Sequence, residues 1–310
     1  MTADAEKKRG FLTGFLASTL VLLLVASSPA IDSERQADHL RELRMRLIDD
    51  GIDPIVVNRY FEDTRFEVIP SLLRVNIRQP SGTEGYQRFL GDSSVRTAAA
   101  FLEMNRSEIE KVLADDPVSP EIVVAILNVE SSLGTYKGTY PVMNVFASLT
   151  LLDTDPITDV APEFWTNVLD GVPANRQDAV ILEARKRAHS KARWAYRELK
   201  TVLSMAQDGY FDPLDVKGSW AGAYGLPQFI PTSANAYGRD GDGDGIVNLN
   251  SLPDAVASVA HYLKIHGYRD EILNKRRKAV WHYNHSDEYV DCIITLADRI
   301  REYNAVHSAP

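Results

Sequence analysis

Helical periodicity runs through nearly the whole of this chain and strand-like alternation is scarce, which commits the sequence to a mostly α fold. Over residues 33–116, Leu40, Leu43, Met45 and Leu47 recur at helical spacing, as do the apolar positions of 55–61 and 95–113. Arginine and glutamate fill the intervening places, as on exposed helix faces. A helical N-terminal region, residues 31–116, is therefore expected. Loop signals at 79–85 interrupt it, and Asp116-Pro117 closes it. Beyond lie a proline- and glycine-bearing insertion at 150–188, with a short helix expected at 164–169 and a long one at 176–207. Trp194, Leu199, Leu203 and Met205 are its expected core face, and further helices are expected near 255–266 and 289–303.

The chain has 310 residues, enough for one large domain or two smaller ones. A net charge of −9 argues against general nucleic-acid binding, and Lys275-Arg276-Arg277-Lys278 reads as a solvated helix face. Lys7-Lys8-Arg9, an apolar run over 11–26 and Ser27-Ser28-Pro29-Ala30 follow the order of an export leader. Residues 1–30 are thus expected to be a signal peptide or an uncleaved anchor. Cys292 is the single cysteine, so no intrachain disulfide can form, and its apolar helical surroundings mark it as a core residue. No cysteine lies at the leader's end to take a lipid.

Glu130 closes the run Ile122-Val123-Val124-Ala125-Ile126-Leu127-Asn128-Val129. Ser119 suits an N-cap, Pro120 the first helical position and Glu121 the positive end of the helix dipole. The helix is expected to run from there to Gly134, with Glu130 in its last turn. Burial and the negative end of the dipole both disfavour the ionised carboxylate, raising its pKa toward the range of a general acid. For a glutamate taken at random, a place on the surface of an amphipathic helix is the far commoner reading.

A second segment, 218–233, holds Gly218, Gly222 and Gly225 for tight turns, Gln228 as donor and acceptor, and Trp220, Tyr224 and Phe229 as platforms for sugar rings. A glycine-rich surface loop is the plainer alternative. A third, 281–290, carries Tyr283-Asn284 at an expected helix start.

The order of these elements is similar to that of the lysozyme-like transglycosylase fold. More narrowly, the chain resembles the membrane-bound lytic murein transglycosylase B family. The resemblance is carried by Glu130-x-x-x-Gly134-x-x-x-Gly138-x-x-x-Val142, by the run from Asp212 through Lys217-Gly218-Ser219-Trp220-Ala221-Gly222-Ala223, and by Gln228-Phe229-x-Pro231-Thr232-Ser233. It implies a lysozyme-like catalytic domain over 117–306. It also implies cleavage of the β-1,4 bond between N-acetylmuramic acid and N-acetylglucosamine in peptidoglycan, leaving 1,6-anhydromuramoyl ends. Glu130 would act as acid and then as base. Most glycosidases use two carboxylates, and the matching motifs offer Glu130 no partner, which fits participation by the substrate's 2-acetamido group. Ser219, Gln228, Tyr262, Tyr283, Asn284 and Tyr289 would line the glycan groove. A tyrosine on an apolar helix is, however, more often a core residue, which applies to Tyr262 and Tyr289.

Asp240, Asp242 and Asp244 alternate with glycines ahead of Ile246, as in the first half of an EF-hand loop. The pattern departs at Ser251, where a glutamate belongs. The resemblance implies a longer loop, 240–254, closed by Asp254. A structural Ca²⁺ held by Asp240, Asp242, Asp244, the Ile246 carbonyl and Asp254 is expected. No cofactor for catalysis is expected.

Departures from the family pattern are Asn144, where it usually has Asp, and Ser190-Lys191, where it has two arginines. Expected partners are peptidoglycan glycan strands, with inner-membrane association where the leader is retained and a monomeric state. The expected location is the periplasm or cell envelope. Two other readings remain open: a hydrolytic muramidase with a second carboxylate at Asp153, Asp155 or Asp159, and a non-catalytic glycan-binding protein.

Overall fold

The computed structural model describes residues 33–77, 85–114, 116–153 and 169–307, which are mostly helical. The leader, most of the 79–85 loop, Asp155, Asp159 and nearly all of the helix expected at 164–169 lie outside the described residues. Helices α1 (Ser33–Asp49), α2 (Pro54–Phe61) and α3 (Pro70–Ile77) lead into α4 (Asp92–Met104), α5 (Arg106–Leu113) and α6 (Pro120–Ser131). Strand β1 (Tyr140–Pro141), α7 (Val142–Thr150), the long α8 (Ala174–Gln207) and strand β2 (Lys217–Gly218) follow. The chain then forms α9 (Pro231–Tyr237), α10 (Leu252–Ile265), α11 (Leu273–Tyr283) and α12 (Asp287–His307). No helix among the described residues is long and apolar enough to cross a membrane.

The chain makes two compact units, each drawing on sequence from both sides of residue 117. The first comprises, among the described residues, 85–114, 116–136 and 237–307. At its centre is α6, buried at every position from Ile122 to Ser131. A helix apolar all round has no face for water and must be enclosed, and α12, α4, α5 and α10 all pack on it. Each buried Ile, Leu or Val there contributes about 1.5–3 kcal/mol relative to exposure.

The start of α6 lies where the sequence puts it, with Pro120 in the first turn, but Ser119 makes no side-chain cap. Its hydroxyl instead lies 3.4 Å from that of Tyr268. The end differs too. The helix stops at Ser131, because Ser132 (φ 49°) and Leu133 (φ 58°) turn left-handed before Gly134 (φ 84°). Ser131 Oγ accepts from the Gly134 amide at 3.0 Å and fixes that turn.

Cys292 is buried, as expected, and burial pushes its thiol up to about 12, leaving an unreactive core group. Within Lys275–Lys278 the solvated-face reading fails at Arg276, which is 6% exposed and donates to Asp298 at 2.7 Å.

The second unit comprises, among the described residues, 33–77, 137–153 and 169–236. Here α7 packs along α8, and α1 on α2. Leu43 and Leu47 face inward while Met45 is exposed, so only part of the expected α1 stripe is core. Leu199, Leu203 and Met205 on α8 are buried, and Trp194 meets Phe146 edge-on at 5.4 Å. Strands β1 and β2 pair antiparallel, Tyr140 opposite Gly218 and Pro141 opposite Lys217. A Cβ on Gly138 would stand 2.1 Å from the Gly218 carbonyl carbon, so the backbones meet there only because residue 138 is glycine.

Candidate active site

Glu130 lies in the last turn of α6, 5% exposed. Burial raises its carboxyl to about 7. The opposing influence is one hydrogen bond: the Tyr289 hydroxyl donates to Glu130 Oε1 at 2.6 Å. Tyr289 is itself fully enclosed in the first turn of α12, and its own pKa is raised well above the phenol value by burial and by Glu130. Below about pH 7 the pair therefore keeps a proton that an isolated carboxyl would have released, and the hydroxyl is placed to stabilise the ionised carboxylate by a charge-assisted hydrogen bond.

Aromatic rings surround the pair within this unit. Tyr283 lies nearly parallel to Tyr289 at 6.4 Å, and Tyr86 meets Tyr289 edge-on at 5.7 Å. Glu130 contributes to the raised pKa of both Tyr283 and Tyr86, burial being the larger cause in each; Tyr86 reaches about 12. Tyr86 is missing from the sequence-based set. It stands just after an irregular loop with no periodic partner, so only the folded chain reveals it. Tyr283 ends α11 and Asn284 caps it, so the pair closes a helix instead of opening one. Asn284 Nδ2 is 3.5 Å from the Tyr86 hydroxyl, while its Oδ1 is buried without a partner among the described residues. Tyr262 donates to the His282 carbonyl at 2.6 Å and stacks on His266, a bracing position between α10 and α11.

In the second unit, Gln228 adopts φ 49° in the turn after Gly225, and Tyr224 and Phe229 bond through their backbones. Its Nε2 donates to the Gly225 carbonyl at 2.8 Å, leaving Oε1 buried and without a partner among the described residues. An unsatisfied buried acceptor costs about 1–3 kcal/mol, which a ligand N–H could recover. Tyr224 and Phe229 are only 4% and 3% exposed, so they pack inside the unit and cannot offer their faces to a sugar; Trp220 is half-buried. Ser219 is likewise enclosed. Its Oγ accepts from the amides of Ala221 at 3.2 Å and Ala223 at 3.3 Å, holding the glycine turn together.

Of the departing positions, Asn144 is fully buried and donates to the Arg65 carbonyl at 3.0 Å. Lys191 lays its ammonium 3.7 Å over the Trp194 ring, and burial lowers it to about 8.

The acidic loop gathers oxygens of Asp240, Asp242 and Asp244 within 4.8 Å of one another. The turn is shaped by its own amides: those of Gly243 and Gly245 donate to Asp240 at 2.6 and 2.8 Å, and that of Ile246 to Asp244 at 2.7 Å. Three carboxylates held this close favour a hard cation. Asp254 is outside that group. Buried at 1% exposure, it accepts from the Gly241 amide at 2.8 Å and the Asn248 amide at 2.6 Å, tying the two ends of the loop.

The family described as the transglycosylase SLT domain matches residues 35–277. Membrane-bound lytic murein transglycosylase B of Escherichia coli (strain K12) is 29% identical over 198 residues, 62% of this chain. The match spans only 45% of that relative's length. Among solved structures, SltB3 of Pseudomonas aeruginosa in complex with NAG-anhNAM-pentapeptide superposes with a TM-score of 0.67 at 22% identity, covering 86% of this chain and 79% of that one. The Escherichia coli lytic transglycosylase Slt35 in complex with calcium gives 0.64 at 20% identity, covering 86% and 94%. These two likenesses establish a shared fold.

Proposed function

The chain belongs to the transglycosylase SLT domain family, and from that premise we propose that it is a lytic murein transglycosylase in which Glu130 is the only acid and base. The observation that carries the reading is the buried Glu130–Tyr289 pair, with the carboxyl raised to about 7. Protonated Glu130 delivers its proton to the glycosidic oxygen as the muramoyl C1–O bond breaks. The resulting carboxylate, steadied by the Tyr289 hydroxyl, removes the proton of the muramoyl 6-hydroxyl as O6 bonds to C1 and closes the 1,6-anhydro ring. No water is consumed. The substrate's 2-acetamido group covers the developing charge at C1, as in substrate-assisted glycosidases. SltB3's complexes with NAG-anhNAM-pentapeptide and NAG-NAM-pentapeptide support peptidoglycan as substrate. The partner is then a glycan strand and the site of action the cell envelope. In the first unit Tyr283 and Asn284 Oδ1 are proposed glycan contacts, with Tyr289 and Tyr262 assigned to positioning; in the second, taken by itself, Gln228 Oε1 is a proposed ligand acceptor and Ser219 holds its loop.

Catalysis begins from protonated Glu130, so kcat/KM is expected to fall as pH rises through about 7. The Tyr289 bond lowers the carboxyl's pKa, so Tyr289→Phe should move that alkaline limb upward by about one pH unit. It should also slow turnover, since the carboxylate loses its donor. A pH–rate profile on purified sacculi checks both, and an unmoved limb contradicts the assignment.

We also assign Ca²⁺ to the loop, with Asp240, Asp242, Asp244 and the Ile246 carbonyl as ligands and Asp254 as the brace behind them. The donor set is hard oxygen throughout, and the ion's role is structural. Calcium at a hundred times its Kd should add about 2.7 kcal/mol to stability. Thermal melts with excess calcium and with chelator should therefore differ clearly, and the difference should vanish in Asp242→Asn. Identical melts for the parent chain would remove the site.

A further inference from the structure

The buried face of α8 carries one carboxylate that the proposed reaction does not use. Glu198 is 2% exposed and shares that face with Ala195, Leu199 and Val202, all in the core of the second unit. Both of its oxygens are taken by a single residue. Oε2 accepts from the Thr232 amide and Oε1 from the Thr232 hydroxyl, each at 2.9 Å. That amide lies in the first turn of α9, where a helix has no carbonyl of its own to offer. Burial raises the Glu198 carboxyl, and the two Thr232 bonds are the largest of the influences that lower it, ahead of Arg197 and Lys191. Glu198 also helps raise the pKa of the buried Tyr224, burial being the larger cause, so its field reaches the other end of the same segment. Between Tyr224 and Thr232 lies the turn of Gln228. Tyr224 and Phe229 close its base through backbone bonds at 2.9 and 3.1 Å, and only Ile230 and Pro231 separate Phe229 from Thr232. Gln228 stands at a left-handed φ of 49° and folds its Nε2 back on the Gly225 carbonyl, leaving Oε1 to accept from a ligand. The exit of the turn leads into a helix of only seven residues, too short to hold its own direction. The Glu198 clamp ties that exit to the long α8.

We propose that Glu198 is a positioning residue for Gln228: by clamping Thr232 to α8, it fixes where Gln228 Oε1 stands to receive an N–H from the glycan's acetamido groups. This role rests on the ligand-accepting role assigned to Gln228 above. Alanine at position 198 frees the exit of the turn. Glutamine there keeps both bonds, its Oε1 accepting from the Thr232 amide and its Nε2 donating to the Thr232 hydroxyl oxygen. The two substitutions therefore separate placement from charge.

The test is calorimetric titration of a soluble GlcNAc–MurNAc tetrasaccharide into the full chain carrying Glu130→Gln, which prevents turnover. Gln228→Ala, Glu198→Ala, Glu198→Gln and the double alanine variant are each added to that background. Gln228→Ala and Glu198→Ala should each weaken binding about tenfold, and Glu198→Gln by less than about twofold. The double variant should be no weaker than either single one, because losing Gln228 removes what Glu198 positions. If Glu198→Ala does not fold, Thr232→Val takes its place. It removes only the hydroxyl arm of the clamp, and its expected loss of about threefold should likewise disappear once Gln228 is alanine. Losses that add in the double variant overturn the proposal, since a general loosening of the unit weakens binding whether or not Gln228 is present. A glutamine variant as weak as the alanine one overturns it too, as does unchanged affinity in Glu198→Ala beside a weakened Gln228→Ala. Unchanged affinity in Gln228→Ala, or no binding by the background chain, would instead remove the ligand role of Gln228, and that of Glu198 with it.

Discussion

Replacing Glu130 with glutamine should reduce muropeptide release by about 10³-fold or more while making the protein more stable at pH 8 than its parent. General acid–base catalysis by one group contributes about 10²–10⁴-fold, and here a single group performs both halves. The stability effect follows from the same burial. The carboxyl's pKa is raised from 4.5 to about 7 on folding. Between those values the folded state binds more protons than the unfolded chain, so the stability Glu130 allows falls as pH climbs through that window. Above it, the folded protein carries the cost of a buried carboxylate, on the order of 3 kcal/mol. Glutamine keeps the size and still accepts from Tyr289, but has no charge to bury. Denaturation at pH 5 should show the two proteins nearly equal, and at pH 8 the variant ahead. An inactive variant with no pH-dependent gain would mean that Glu130 is not the buried acid described here.

The second large effect lies in the other unit. Gly138→Ala should destabilise by roughly 4 kcal/mol or more, because its Cβ would meet the Gly218 backbone at 2.1 and 2.2 Å at a φ of 87°. The strand pair would have to part, and with it the Thr139–Gly218 bond at 2.9 Å that leads into the turn holding Gln228. Gly209→Ala is the control. Its φ of 83° is similarly left-handed, but a Cβ there meets nothing within 4 Å, so only the backbone strain of about 1–2 kcal/mol applies. Urea unfolding of the two variants separates close approach from strain. Equal losses would refute the crowding argument.

What could be read from the chain alone was what local pattern encodes. Glu130's place followed from a run of apolar residues too continuous for any helix face, and the acidic turn from three aspartates at alternate positions. What escaped was decided by contacts far apart in sequence. Tyr289 entered as a groove residue only through the resemblance, and its bond to Glu130 could not be read, because the two meet across 159 positions. Tyr224 and Phe229, chosen as sugar platforms for their chemistry, turned inward, since aromatic character does not say which side of a loop faces water. Asp254, expected as a closing ligand, also accepts from two backbone amides, and a carboxylate's hydrogen-bond partners cannot be read from spacing. The left-handed pair Ser132 and Leu133, which ends α6 ahead of Gly134, also broke a local rule: left-handed backbone there falls on residues with a Cβ.

Central to the account is one carboxyl acting twice, with the sugar's own 6-hydroxyl as the attacking group. Mass spectrometry of muropeptides released from purified sacculi tests it most directly. The expected products are 1,6-anhydromuramoyl ends from the parent chain and their loss in Glu130→Gln; reducing ends, formed with water as the attacking group, would contradict that role for Glu130.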